Sequence, residues 1–451
     1  MPASPLDSVL YGKLFGDSDL APLFTDSAAL RAMLVVEGAL AKAQATLGMI
    51  PKEAAEAIHR DGMEVVIDPA LLAQGVADNG IPVPGMVAEF RRVMAQEEHA
   101  QWVHFGATTQ DIIDTSLMLR LRRALAIIAA RGAGLVADLG TLAQTHAETP
   151  MAARTWGVAA TPTSLGAVAA GWGTPLLRHL ARLEQVRDDV LWVSLSGAAG
   201  TNAAMGPDGS EVRALLAKSL NLKDPGGTWH SARDGIAGLA NWLATLGALC
   251  AKLAQDVNAM VRTGEARLAG GGSSSTMPQK QNPVLPAAIT ALCRSSSALA
   301  AALQASPVHA DQRDGGAWMT EWLTLPQLVQ SIGRAVSLSQ TLVQRLELVP
   351  DAMAHALDDG SGLIYAEALS FHMARHIPRP QAQAAVKELC LEVRATGGNL
   401  QIAAQRRWPE QDFKQLFTPA EQLGDAPAEA LAFAAAARAQ APKEAQDKAH
   451  D

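Results

Sequence analysis

The sequence is poor in the residues from which strands are built. It has only 2 Tyr and 8 Phe in 451 residues, while Ala and Leu recur throughout. A shortage of aromatic and β-branched residues argues for helices over sheets. Cysteine is nearly absent: Cys250, Cys293 and Cys390 stand far apart, are odd in number and form no CxxC pair. That excludes a disulfide scaffold and fits a reduced, cytoplasmic compartment. Basic runs are missing too, and the formal net charge is −8, which argues against a nucleic-acid binder but leaves small anionic substrates open. No uninterrupted apolar run of about 18 residues occurs, so no membrane span is expected. The first residues, MPASPLDSVLYGKLFGD, lack the basic start and apolar core of a signal peptide.

What remains is apolar and periodic, with 49% hydrophobic residues. Residues 1–111 read as short helices broken by loops. A helix over Ser27–Gly48 is expected to start at an Asp26 or Ser27 cap. Pro51 opens the next, where proline is tolerated, and Asn79-Gly80-Ile81-Pro82-Val83-Pro84 is a breaker cluster. From Ile112 to about His146 there is no proline, and Leu117, Leu121, Leu125 and Ile128 follow helical spacing. Leu239, Leu243, Leu246, Cys250, Leu253, Val257 and Met260 step alternately by four and three, a heptad seam. Val329, Ile332, Val336, Val343 and Leu346 continue the style. Such helices pack as bundles, and their length and apolarity lead us to expect an oligomer. The expected domains are 1–111, 112–355 and 356–451, all helical. The stretch from Ala426 to Asp451 is Ala-rich and expected to fray. His372 and His376 imitate a zinc pair, but no HExxH glutamate accompanies them, so neither metal nor cofactor is expected.

The chemistry concentrates in Gly270–Pro283. Three glycines, Gly270-Gly271-Gly272, allow a segment to open and close. A hydroxyl cluster, Lys280 and Asn282 follow, and prolines stiffen the far end. A phosphate loop is excluded because GxxxxGK[ST] is absent. Lysine and an amide suit an oxyanion of developing charge, and a serine can carry a proton.

The string Ser274-Ser275-Thr276-Met277-Pro278-Gln279-Lys280-Gln281-Asn282-Pro283 resembles the SSxMPxKxNP signature of the fumarase/aspartase superfamily, with Ser273 where that family usually has glycine. His104-Phe105-Gly106-Ala107-Thr108-Thr109-Gln110-Asp111 is similar to its HxGxTSxD stretch, and Arg154-Thr155-Trp156-Gly157-Val158-Ala159-Ala160-Thr161-Pro162 stands where the lyases carry RTHxQxAxP. The resemblance covers most of the chain. It implies a three-domain, all-α fold with a central long-helix bundle, and a homotetramer whose active sites combine residues of three subunits. It also implies that Ser274, Lys280 and Asn282 are catalytic.

One departure narrows the substrate. Trp156 and Val158 stand where the lyases have histidine and glutamine. The histidine serves strongly basic leaving groups. A carboxylate leaving group, with a conjugate-acid pKa of about 4, needs no such partner. The expected reaction is therefore the superfamily's lactonisation of a carboxylated muconate, a small tricarboxylate. In it, Ser274 moves the proton while Lys280 and Asn282 stabilise the carbanion. Trp229-His230-Ser231-Ala232-Arg233-Asp234 and Ala317-Trp318-Met319-Thr320-Glu321-Trp322 point to the same branch. His104, Thr108, Thr109, His230, His309 and Arg313 are expected to bind substrate, and Trp156 to shape the pocket. Two other readings stay open: a fumarate-releasing lyase, such as one acting on a succinyl adduct, and a non-catalytic homologue.

Overall fold

A computed structural model describes residues 4–94, 96–270, 272–273, 276–277 and 279–447. The fold is all-α, with three small two-stranded antiparallel pairs among the described residues. The elements that matter for the site are, in chain order, helices α1 (Asp26–Thr46), α2 (Lys52–Glu64), α3 (Val83–Val93) and α4 (Thr109–Thr145). Strands β1 (Pro150–Thr155) and β2 (Val158–Ser164) form a hairpin, followed by α5 (Leu165–Leu180) and α6 (Asp234–Thr263). Then come β3 (Ala266–Leu268), β4 (Gly272–Ser273), β5 (Gln281–Asn282), α7 (Val284–Ala305), α8 (Gly315–Gln344) and β6 (Leu346–Leu348). Helices α9 (Arg379–Thr396) and α10 (Ala426–Asp447) belong to the C-terminal part.

Local chemistry explains most boundaries. The cap of α1 is Thr25, one residue before the expected position: its hydroxyl accepts from the Ala28 N–H at 3.2 Å. Pro51 caps α2. The proline-free stretch is α4, and the heptad seam of α6 is buried at every position, from Leu239 to Met260. In α8, Val329, Ile332, Val336 and Val343 are buried as the spacing predicts. Leu346 departs from that series: the helix ends at Gln344, and Leu346 pairs with Leu268 between β6 and β3, so strand pairing satisfies the backbone there. The C-terminal stretch expected to fray forms α10 through Asp447, with Ala430, Phe433, Ala434 and Ala437 buried. Its alanines are the best helix formers, and Phe433 anchors it.

The membrane expectation rested on uninterrupted apolar runs. By length and composition alone, α4, α6 and α7 are each apolar enough to cross a membrane. Isolated polar residues break the uninterrupted runs in these helices while the mean hydropathy of an 18-residue window stays at 1.5, 1.4 and 1.3 respectively. Helices this apolar are also what a large protein core requires, and the seam of α6 is used in that way. Cys250, Cys293 and Cys390 form no disulfide among the described residues; burial pushes the Cys250 thiol up to about 11.

The chain divides into two compact units, residues 1–130, 181–248 and 291–335, and residues 131–180, 249–290 and 336–451. In the first unit α6 and α8 approach closely at Gly247, where a Cβ would lie 2.6 Å from Ile332. Within the second unit α5 and α10 meet at Gly173. A Cβ there would stand 1.9 Å from the Phe433 ring, so only glycine admits the phenyl group. A further apolar cluster of that unit gathers Leu369, Leu389, Leu400 and Phe413.

Removing the anchor of α10 tests this packing. Phe433→Ala is expected to cost about 3 kcal/mol, seen as a lower denaturation midpoint, whereas Phe433→Leu costs less. An unchanged midpoint in Phe433→Ala would show that the helix docks without its aromatic side chain.

Candidate active site

The first unit gathers six of the expected site residues around the start of α4. The first two turns of that helix hold Gln110, Asp111, Asp114, Thr115 and Ser116, each fully buried. Five polar residues out of water need partners, and the partners define the site.

Asp111 is the hub. Its Oδ1 accepts from His230 Nε2 at 2.8 Å, the Ser196 N–H at 2.9 Å and the Ser194 hydroxyl at 3.1 Å. Its Oδ2 accepts from the N–H groups of Thr108 and Gly197, each at 3.0 Å. The Asp111 N–H in turn donates to the Thr108 carbonyl at 3.0 Å, so side chain and backbone together close the turn at the helix start. One carboxylate thus ties residues 194–197, the segment around His230 and the Thr108 turn together. His230 is buried with Nε2 on Asp111, so that nitrogen holds the scaffold rather than facing open space.

One turn further on, Asp114 accepts from Arg233 Nη1 at 2.7 Å, Trp318 Nε1 at 3.1 Å and Gln110 Nε2 at 3.2 Å. Arg233 also donates through Nε to Glu321 Oε1 at 2.8 Å, and its guanidinium lies 4.5 Å from the Trp229 ring centroid. The two strings singled out above, around Arg233 and around Glu321, therefore meet in one dry ion network. Two carboxylates hold the Arg233 pKa above its ordinary value despite burial. Burial raises the Glu321 pKa, outweighing the Arg233 hydrogen bond and charge.

Arg313 reaches the same turn. Its Nη2 lies 3.2 Å from the Ala198 carbonyl and 3.4 Å from the Thr108 hydroxyl, while its buried Nε has no hydrogen-bond partner among the described residues. His309 accepts from the Asp314 N–H through Nδ1 at 3.3 Å, and its buried Nε2 is likewise without a partner there. Burial, reinforced by the charge of Arg233, lowers the His309 pKa. Asn202, in a left-handed conformation (φ 54°), has both side-chain polar atoms buried and unpartnered among the described residues. Thr109 opens α4, half-buried. Unfilled donors beside a helix N-terminus suit a carboxylate. His104 (φ 64°) sits just before this turn, its Nδ1 2.7 Å from the buried Glu37.

The remaining expected residues belong to the second unit. Ser274 lies outside the described residues. Lys280 is exposed and closes a turn through its N–H to the Met277 carbonyl at 3.0 Å. Asn282 pairs with Gly272 across β5 and β4 and lines a cavity of about 480 Å³ with Arg267, Gln279, Gln281 and Glu347. Trp156 is at the tip of the β1–β2 hairpin, where Thr155 pairs with Val158 across a two-residue turn. Its φ of 56° and the 80° of Gly157 suit the primed turn that two-residue hairpins favour. Its side chain is fully exposed, at 103% of the reference value. Just before it in β1, Arg154 bonds Glu265 at 2.6 Å.

Sequence reasoning missed Glu37, Asn202 and Asp114 outright. Glu37 sits in a helical face that is apolar apart from Gln44, where a carboxylate is a legible anomaly. Nothing in the spacing distinguishes Asn202 or Asp114.

A family described as Lyase matches residues 17–295. The chain is 36% identical to 3-carboxy-cis,cis-muconate cycloisomerase of Pseudomonas aeruginosa, over 92% of this chain and 94% of that protein. It is 37% identical to the protein of the same name from Bradyrhizobium diazoefficiens, over 83% and 85%. The crystal structure of the 3-carboxy-cis,cis-muconate lactonizing enzyme from Pseudomonas putida superposes with a TM-score of 0.90 at 30% identity, covering 96% of this chain and 99% of that one.

The buried network makes a two-part prediction. Arg233→Met leaves Asp114 and Glu321 buried without their cation and is expected to cost about 3–5 kcal/mol. The triple variant Asp114→Leu, Arg233→Met, Glu321→Leu should recover most of that loss, because it buries no charge. Equal denaturation midpoints for the single and triple variants would overturn this account of the network.

Proposed function

The chain belongs to the fumarase/aspartase superfamily of lyases, and on that premise we propose that it is a 3-carboxy-cis,cis-muconate cycloisomerase, forming 4-carboxymuconolactone in protocatechuate breakdown. The observation that carries this reading is Trp156. Indole offers only an N–H donor and does not exchange protons as an acid or base at working pH. A reaction that expels an amine or alkoxide needs a proton donor at that position of the resemblance. A reaction whose departing or attacking group is a carboxylate does not.

The proposed step is an isomerisation in which no atom is lost. A substrate carboxylate oxygen forms a bond to one carbon of a double bond within the same molecule. The displaced electron pair passes to the neighbouring carbon and into the carboxylate beside it, and a proton then closes the C–H bond there. Holding the reacting conformer supplies much of the acceleration, because attack is intramolecular. Lys280 and Asn282 face the developing dianion, and Ser274 delivers the proton, taking it back in the reverse direction. Arg313, Thr108, Thr109, His309 and His104 receive the other carboxylates; the unpartnered donor of Arg313 supports that assignment. His230, engaged by Asp111, keeps the turn in place.

The same reading includes a homotetramer with shared active sites. The neighbouring exposure of Trp156 and Val158 at the β1–β2 hairpin supports it, as apolar surface that another copy would cover. The three-domain division at residues 111 and 355 is part of the proposal, as is a cytoplasmic location.

Incubation with 3-carboxy-cis,cis-muconate in deuterated water, followed by NMR, is expected to show the lactone with one solvent deuteron at the new C–H position. Release of fumarate from succinyl adducts, with no lactone, would favour the rival lyase. Ser274→Ala is expected to slow the loss of muconate absorbance by about 10²–10⁴-fold; turnover near that of the wild type would remove the serine from the mechanism.

A further inference from the structure

Helix α1 carries two buried polar side chains on one face, Glu37 and Gln44, each 1% exposed and seven residues apart. Both reach the segment that precedes α4. Gln44 Nε2 donates to the Phe105 carbonyl at 2.7 Å, and Glu37 Oε1 lies 2.7 Å from His104 Nδ1. Arg91 of α3 holds the same segment through the Val103 carbonyl at 2.8 Å. Gln44 and Arg91 thus grip the backbone, whereas Glu37 grips only the imidazole.

The second oxygen of Glu37, Oε2, is buried and has no hydrogen-bond partner among the described residues. A carboxylate in that position is costly unless a cation stands against it, and the group in contact is His104. Three charged groups face the ring: Glu37 of α1, Asp111 of α4 and Arg91 of α3. Burial lowers the His104 pKa, but the hydrogen bond and charge of Glu37, with the charge of Asp111, outweigh burial and Arg91, so the net direction is upward. With Nδ1 engaged by Glu37 and the side chain 18% exposed, Nε2 is the ring atom left for a ligand.

We infer that Glu37 is a positioning residue: it holds His104 as an imidazolium whose Nε2–H receives a substrate carboxylate beside Thr108 and Arg313. The identity of that carboxylate rests on the lactonisation reading, while the pairing of Glu37 with His104 does not. Glu37 makes no contact with the reacting carbons, so its loss weakens binding more than it slows chemistry.

Glu37→Gln tests this, because the amide oxygen can still accept from Nδ1–H while the charge is gone. In the wild type, the His104 imidazole followed by NMR should titrate above the ordinary histidine value of about 6.5; in Glu37→Gln it should move down. At a pH between the two values, KM for 3-carboxy-cis,cis-muconate should rise about 10- to 100-fold, the range for a lost hydrogen bond to a charged group, with a smaller change in kcat. The rise in KM with pH should begin lower in the variant. Should Glu37→Gln fail to fold, Glu37→Asp keeps the charge and withdraws it by one methylene; its signature is the same KM-specific loss, smaller in size. A folded Glu37→Gln with unchanged His104 titration, or with unchanged KM, overturns the inference while the proposed function stands. A wild type that forms no lactone overturns the function, and the titration alone then decides whether Glu37 charges His104.

Discussion

The carboxylate of Asp111 is the constraint on which the first unit's site depends. Five donors from three stretches of chain converge on its two oxygens. Residues 194–197 and His230 lie outside helices and strands, and Asp111 is the side chain they share. Ionised, the carboxylate accepts from all five at once, which no neutral side chain of similar size can do. The Thr108 turn, the segment that carries the Arg313-binding carbonyl of Ala198, and His230 therefore share one reference point. The proposed binding of several carboxylates needs donors fixed before the ligand arrives, because ordering them on binding would cost affinity.

Below that hub, the Asp114–Arg233–Glu321 network sets a second condition. It is expensive in desolvation, and as a source of stability it is inferior to well-packed leucines. What it supplies is a unique arrangement: Trp318 Nε1 of α8 and Arg233 Nη1 can both satisfy Asp114 of α4 in only one register of the two helices. Polar groups buried at 0% exposure in the opening turns of a 37-residue helix mark the place where the fold gives up packing for geometry.

The helices were largely legible in the chain. The seam from Leu239 to Met260 and the proline-free stretch of α4 need only periodicity, because burying an apolar stripe dominates the energetics. Leu346 was misread because periodicity alone does not say where a helix yields to a strand. Of the site, the motif residues could be named from resemblance, yet their partners could not. Glu37 lies 67 positions from His104, and no local pattern pairs residues at that distance. Nor could the sequence distinguish His230, spent on Asp111, from His309, whose Nε2 stays buried and unpartnered among the described residues: each follows an apolar residue, Trp229 or Val308, and only the tertiary partner separates them. The small strands β4 and β5, each two residues long, are too short to leave a periodic trace.

Trp156 stands in the left-handed region at the first position of its turn, a conformation that asparagine adopts readily and a bulky aromatic adopts at a cost of roughly 1–3 kcal/mol. It is also a fully exposed aromatic on a chain that has few. Any programme of stabilisation guided by local preference would therefore begin there, since Trp156→Asn would set an Asn-Gly pair at the tip and make a better hairpin. The protein so improved would keep its fold and lose the residue on which the proposed cycloisomerase reading rests. For anyone engineering this scaffold, the least comfortable residue in the hairpin is the one to leave alone.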